Sequence, residues 1–209
     1  HGNAEDLMSC AQFLRELSER LAMDVVTWDY AGYGLNAPAP WERTVEGVNV
    51  ALKTVLDALL AQGYLLKNVL LWGYSLGTGP STALAASLSH QNEPLGGLIL
   101  FGAYSSILDV VKDHAPAWMV TWFAERWNSQ EAIAAVKYPI LLMHGQSDGL
   151  IPAYHSERLY RAAPAQQAKL VLFPNVGHTQ FSWAEAMKEV WRWVQEEPIR
   201  RVESKKNQS

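Results

Sequence analysis

The stretch Gly73-Tyr74-Ser75-Leu76-Gly77 decides how the rest of the chain folds. The apolar run 68–72 before it predicts a buried strand, and residues 78–89 after it predict a helix. A turn this tight between a strand and a helix strains the backbone of its central serine and holds the hydroxyl above the sheet edge. The two glycines avoid placing a Cβ where strand and helix approach each other closely. We therefore interpret Ser75 as a nucleophile, next to helical N–H groups that could stabilise an oxyanion.

The bulk composition is that of an ordinary globular protein and excludes several classes of function. The chain has 209 residues, of which 49% are hydrophobic and 18% are charged, with a net charge of −4. That charge gives no reason to expect a nucleic acid as partner. Cys10 is the only cysteine, so no internal disulfide can form, and a reducing compartment is compatible. We expect a single domain over 1–209 in the cytoplasm, without cofactor or metal.

Strand and helix patterns alternate along the chain. Further strands are predicted at 24–29, 95–101, 139–144 and 169–173, and further helices at 5–21, 44–62, 153–162 and 179–196. Such alternation predicts the α/β class, with a mostly parallel sheet covered by helices on both faces. Residues 200–209 predict a polar tail.

A serine nucleophile needs a base beside it and a third group that orients the base. Asp148 follows the strand predicted at 139–144, and His178 follows the strand predicted at 169–173. Both therefore belong to the sheet edge where Ser75 lies, and we interpret them as acid and base. Asp109 is the alternative acid, because it follows the preceding strand. His144 closes a strand, which favours structural hydrogen bonds.

An oxyanion hole needs two donors. The backbone N–H of Leu76, directly after the nucleophile, is the first candidate. The second is the backbone N–H of Asn3, in the His1-Gly2-Asn3 loop, where a glycine lets the backbone approach a substrate carbonyl.

Five short motifs together resemble the α/β-hydrolase superfamily. They are His-Gly-Asn-Ala at 1–4, Asp-Tyr-Ala-Gly-Tyr-Gly at 29–34, the Ser75 motif, His-Gly-Gln-Ser-Asp at 144–148 and Gly-His at 177–178. Within the superfamily the chain is similar to the branch of α/β-hydrolase-domain acyl-protein thioesterases, or depalmitoylases. The resemblance covers nearly the whole chain and implies a Ser75–His178–Asp148 triad that hydrolyses an ester, thioester or amide.

The sequence departs from this family at its start. Members have several strands before the His-Gly turn, including one beside the strand that leads to the nucleophile. We therefore expect an α/β-hydrolase fold whose first strands are missing, and a chain that is aggregation-prone or poorly active by itself. The lipid-modified start of the depalmitoylases has no counterpart here, so membrane anchoring is not implied.

Residues 104–137 interrupt the alternation where α/β-hydrolases often carry a cap. Trp118, Trp122 and Phe123 lie close together within this segment, and a helix would place them on a broad apolar face. One interpretation is that this face packs on the sheet. The other is that Trp118, Trp122 and Phe123, with Tyr74, bind an acyl chain, or that the apolar face contacts a membrane surface and the protein is peripheral to the membrane.

The sequence thus favours a serine hydrolase that cleaves a fatty acyl ester or thioester of a small molecule or a lipidated protein. A catalytically inactive α/β-hydrolase-like binding protein and a serine aminopeptidase are the alternatives. Dehalogenases and epoxide hydrolases are disfavoured because they carry aspartate where this chain has Ser75.

Overall fold

A four-stranded parallel sheet forms the centre of the molecule, in a computed structural model that describes residues 1–3, 6–36, 44–116 and 126–196. The strands are β1 (Leu70–Tyr74), β2 (Gly97–Phe101), β3 (Ile140–Gly145) and β4 (Ala168–Phe173), paired in that order. The helices are α1 (Leu7–Leu21), α2 (Val45–Ala61), α3 (Thr78–His90), α4 (Ile107–His114), α5 (Ser129–Ile133), α6 (Tyr154–Ala162) and α7 (Trp183–Glu196). Within the described ranges, no helix is long and apolar enough to cross a membrane.

The buried strand β2 shows how the sheet organises two hydrophobic layers. Leu98 and Leu100 face a cluster that includes residues of α2, α3, α5 and α6. Ile99 and Phe101 face the opposite cluster, which includes residues of α1 and α7. Every residue of β2 is buried, as expected for a parallel strand with helices on both sides. The predicted α/β class, with a parallel sheet and helices on both faces, is confirmed.

Two helix starts follow directly from capping side chains. The Asp6 carboxylate accepts a hydrogen bond from the Ser9 N–H, so α1 begins at Leu7 and not at residue 5 as predicted. The Thr44 hydroxyl accepts from the Gly47 N–H and starts α2 at Val45.

The strand predicted at 24–29 is wrong. This segment forms no β-ladder, although Val25 packs against the α1 and α7 cluster. A strand exists only where a neighbour completes its hydrogen bonds, and among the described residues β1 pairs with β2 alone. In the part of the chain that the structure describes, the strand leading to Ser75 therefore lies at the sheet edge, which agrees with the expected departure from the family.

The carboxyl ends of all four strands lie on one edge of the sheet because the strands are parallel. Ser75 directly follows β1, Asp148 comes three residues after β3, and His178 comes five residues after β4. The fold therefore brings residues far apart in sequence to a common edge.

Candidate active site

The turn at Ser75 has the strained geometry predicted from its sequence. Ser75 has φ of 50°, a left-handed conformation that residues other than glycine seldom adopt. A Cβ at Gly73 would lie 2.6 Å from the Gly77 carbonyl oxygen and 2.7 Å from Thr78 Cα, so only glycine fits there. The turn continues into α3, whose amino end faces the same edge of the sheet.

Ser75, His178 and Asp148 form one hydrogen-bonded series. His178 Nε2 lies 3.0 Å from Ser75 Oγ, and His178 Nδ1 lies 2.6 Å from Asp148 Oδ2. An ionised carboxylate only accepts, so Nδ1 carries the proton and Nε2 is free to accept from the serine hydroxyl. This arrangement can remove the serine proton and hold it on the imidazole during an attack by Oγ.

Asp148 is buried, yet its surroundings keep it ionised. Its Oδ1 accepts from the backbone N–H groups of Leu150, at 2.9 Å, and Ile151, at 2.8 Å. Burial alone would raise the pKa of this carboxyl group, but hydrogen bonds from His144, His178 and the Ile151 N–H outweigh it and hold the pKa well below 3.8. The acid is therefore fully charged over the neutral pH range.

This depressed pKa predicts how stability depends on pH. A carboxylate whose pKa is lower in the folded state stabilises the fold above its unfolded pKa, near 3.8, and loses that contribution as pH falls through the folded pKa. We expect the unfolding free energy of the native chain to fall below about pH 4 more steeply than that of Asp148→Asn. Urea titrations at a series of pH values would test this, and two parallel curves would contradict it.

The loops that carry Asp148 and His178 touch each other through their backbones. The Ser147 N–H donates to the Val176 carbonyl at 2.9 Å. A Cβ at Gly145 would lie 2.4 Å from that same Val176 oxygen and 2.9 Å from the Gly177 oxygen. Glycine at position 145 thus lets the loop before His178 approach the end of β3.

Substitution of Gly145 by alanine should therefore displace His178. Both contacts are with backbone, so the loop has to move, and a shift of about 1 Å can lower kcat on the order of 100-fold. Gly149→Ala is the matched control, because a Cβ at Gly149 meets nothing within 4 Å. Ester hydrolysis by both variants is the measurement, and equal activity of the two would contradict the account.

Tyr74 contacts His178 through both its hydroxyl and its ring. Its hydroxyl donates to the His178 carbonyl at 2.9 Å, and its ring stacks on the imidazole with centroids 5.7 Å apart. Gly102, whose φ of 59° favours glycine, lies beside the same ring, since a Cβ there would be in ordinary van der Waals contact at 3.5 Å from His178 Cε1. The sequence interpretation did not assign these supporting contacts, because they depend on which loops meet at the sheet edge. A role of Tyr74 in substrate binding stays a prediction.

The two candidate oxyanion donors lie on segments beside the turn. Leu76 directly follows Ser75, and its carbonyl accepts from the Tyr104 hydroxyl at 3.1 Å. The segment of Asn3 lies close to the turn, because a Cβ at Gly77 would lie 3.1 Å from the His1 carbonyl oxygen. The Asn3 side chain accepts from the Tyr33 hydroxyl. The donor roles of the Leu76 and Asn3 N–H groups stay predictions.

Asp109, the alternative acid, is engaged elsewhere. It accepts from the Ser105 hydroxyl at 2.9 Å and from Lys112 Nζ at 2.8 Å, while His178 bonds to Asp148 instead. Trp118, Trp122 and Phe123, the predicted substrate-binding residues of the cap segment 104–137, lie outside the described residues.

A second series of serine, histidine and aspartate lies nearby in the fold. Ser105 Oγ is 2.7 Å from His155 Nδ1, and His155 Nε2 is 2.7 Å from Asp113 Oδ2. Ser105 and His155 are completely buried, so no substrate can reach them. This network joins α4 to α6 and is structural.

The chain is similar in sequence to several known proteins. The family described as serine aminopeptidase, S33, matches residues 126–182. The chain is 31% identical to the alpha/beta hydrolase domain-containing protein aho-3 of Caenorhabditis elegans, over 85% of this chain and 50% of the relative. It is 28% identical to the human alpha/beta hydrolase domain-containing protein 17B, over 77% of this chain and 52% of the relative. The chain thus spans about half the length of these curated relatives.

The fold is similar to that of a solved lipase. A monoacylglycerol lipase of Paleococcus ferrophilus superposes with a TM-score of 0.68, over 94% of this chain and 92% of that one, at 16% identity. At that identity the likeness concerns the fold.

Proposed function

Because the chain has the α/β-hydrolase fold and resembles α/β-hydrolase domain-containing proteins in sequence, we propose that it is a serine hydrolase of carboxylic esters or thioesters. The observation that carries the proposal is the series from Ser75 Oγ through the His178 imidazole to Asp148, with both hydrogen bonds at 3.0 Å or less. This series supports a covalent acyl-enzyme mechanism.

In the first half of the reaction, Ser75 Oγ attacks the carbonyl carbon while its proton moves to His178 Nε2. The negative charge on the former carbonyl oxygen is stabilised by the N–H of Leu76 and, as the second donor, that of Asn3. When this intermediate collapses, the bond to the leaving group breaks, and the alcohol or thiol departs with the proton from His178.

In the second half, water replaces the leaving group. His178 takes a proton from water, the oxygen attacks the acyl carbon, and the proton passes to Ser75 Oγ as the carboxylic acid is released. Asp148 keeps the Nδ1 proton in place and stabilises the imidazolium in both halves. In this scheme each proton transfer uses a group of this chain.

We place fatty acyl groups first among the substrates, of a small molecule or of a lipidated protein. The observation behind this choice is the apolar stretch of Trp118, Trp122 and Phe123 in the segment predicted to cap the site. The fold shared with a monoacylglycerol lipase is compatible with it.

A chain-length series tests this substrate class. Each buried CH₂ contributes about 0.8 kcal/mol, so four more carbons, from butyrate to octanoate, could raise kcat/KM on the order of 100-fold. Trp122→Ala and Phe123→Ala should remove most of this gain and leave acetyl ester turnover nearly unchanged. Trp191→Ala, on the exposed side of α7, is the control. If both variants lose acetyl and octanoyl turnover together with stability, Trp122 and Phe123 belong to the hydrophobic core, and the proposal of an acyl pocket is wrong.

A serine aminopeptidase is the second candidate, favoured by the family that matches residues 126–182. Both reactions use the same triad, but the leaving group is an amine instead of an alcohol or thiol. Parallel assays with leucyl p-nitroanilide and p-nitrophenyl butyrate distinguish them. If the anilide is turned over faster than the butyrate ester, the aminopeptidase assignment replaces the esterase assignment.

A further inference from the structure

His144, near the end of β3, lies beside the acid, and like His178 it contacts Asp148 Oδ2. Its side chain is completely buried, and both ring nitrogens have partners. Nδ1 lies 2.6 Å from the Ser156 hydroxyl on α6. Nε2 lies 2.7 Å from the Ile151 carbonyl oxygen and 3.3 Å from Asp148 Oδ2.

These partners determine which nitrogen carries the proton. A carbonyl oxygen and an ionised carboxylate only accept hydrogen bonds, so Nε2 must donate to both. Nδ1 is then the acceptor for the Ser156 hydroxyl. The serine fixes the rotation of the imidazole, and the imidazole directs its one N–H toward the acid loop.

We propose that His144 is a positioning residue that holds the acid of the triad in its working orientation. This inference rests on the proposed function. His144 donates a hydrogen bond to the Ile151 carbonyl, in the loop that carries Asp148. The N–H of Ile151 in turn donates to Asp148 Oδ1. His144 also contacts Oδ2, the oxygen that accepts from His178. A hydrogen-bonded line thus runs from Ser156 through His144, Asp148 and His178 to Ser75.

His155 provides a comparison within the same chain. It is also completely buried and uses both ring nitrogens, but its partners are Ser105 and Asp113. Loss of either histidine removes the hydrogen bonds of both ring nitrogens, but of the two only His144 contacts the acid of the triad. A comparison of variants at the two positions therefore distinguishes an effect on the position of the acid from an effect on the stability of the fold.

Two substitutions of His144 distinguish its two nitrogens. The amide nitrogen of His144→Gln can reach the Nε2 position and donate to the acid loop, whereas that of His144→Asn reaches only the Nδ1 position. Loss of the outer hydrogen-bond partner of a metal ligand typically lowers affinity or activity about 10- to 100-fold, and we take the same range for the partner of a catalytic acid. We expect a loss of this size in kcat for His144→Asn, KM within about twofold, and recovery of most of the loss in His144→Gln.

The assay is p-nitrophenyl acetate hydrolysis by the full chain, expressed per folded molecule from near-ultraviolet circular dichroism. His155→Asn should keep kcat within about twofold of the native value, because its contacts do not reach the triad. If His144→Asn does not fold, Ser156→Ala is the milder test, since it releases the imidazole without removing it. We expect that variant to lose kcat severalfold at unchanged KM.

A native kcat per folded molecule in His144→Asn, or in Ser156→Ala where the first does not fold, would overturn the inference. An equal loss in His144→Asn, His144→Gln and His155→Asn would do the same, because it would indicate general damage. Ser75→Ala separates this inference from the proposed function. If Ser75→Ala is inactive while His144→Asn is fully active, the hydrolase stands and the role of His144 falls.

Discussion

Replacement of Ser75 by alanine is expected to lower ester hydrolysis to the background rate. The variant keeps the backbone and the His178–Asp148 pair but has no Oγ to attack the carbonyl. Loss of a triad nucleophile costs about 10⁶-fold in kcat in well-studied serine hydrolases. The measurement is initial-rate hydrolysis of p-nitrophenyl butyrate, with the protein freed of contaminating esterases by two orthogonal purification steps.

The control for this loss is Ser81→Ala. Ser81 is buried on α3, the helix that follows the turn. The hydrogen bonds of the His178 and Asp148 side chains go to other residues. Its alanine variant should keep the native rate. Substantial hydrolysis by Ser75→Ala beyond the background would remove Ser75 from its proposed role, whatever the control shows.

Asp148→Asn is expected to give the next largest loss, about 10⁴-fold in kcat. Asp148 Oδ1 accepts two backbone N–H groups, so the asparagine oxygen takes that place and its NH₂ group faces His178 Nδ1. Nδ1 then has to accept, which moves the imidazole proton to Nε2. A protonated Nε2 cannot take the proton of Ser75.

Asp113→Asn is the matched control for this substitution. Asp113 accepts from His155 Nε2 at 2.7 Å, much as Asp148 accepts from His178, but in the network that joins α4 to α6. The comparison of kcat and of KM for the two variants is the measurement. Equal losses in the two would show that breaking a histidine–aspartate pair lowers activity through stability, and the tautomer argument would fail.

The sequence predicted the parts of the molecule that depend on short-range patterns. The strained turn at Ser75 follows from two glycines at fixed spacing, and the structure has it with φ of 50°. Asp148 and His178 are predicted because each follows an apolar run that indicates a strand. The structure brings both to Ser75 because parallel strands end at one edge.

What the sequence did not predict depends on contacts between distant segments. The segment 24–29 has the composition of a strand, but composition cannot supply the neighbour that a ladder needs. The bond of Tyr74 to the His178 carbonyl joins residues 104 positions apart. The sequence predicts only structural hydrogen bonds for His144, because nothing local shows that its Nε2 points at the acid loop.

The central claim is that Ser75 forms a covalent intermediate, and a fluorophosphonate probe tests it most directly, because it reacts only with an activated serine. The account predicts one adduct per native chain, found by mass spectrometry on the peptide that contains Ser75, and no adduct in Ser75→Ala. A native chain that folds but takes up no probe, or takes it up at another serine, would contradict the account and favour a binding protein built on this fold.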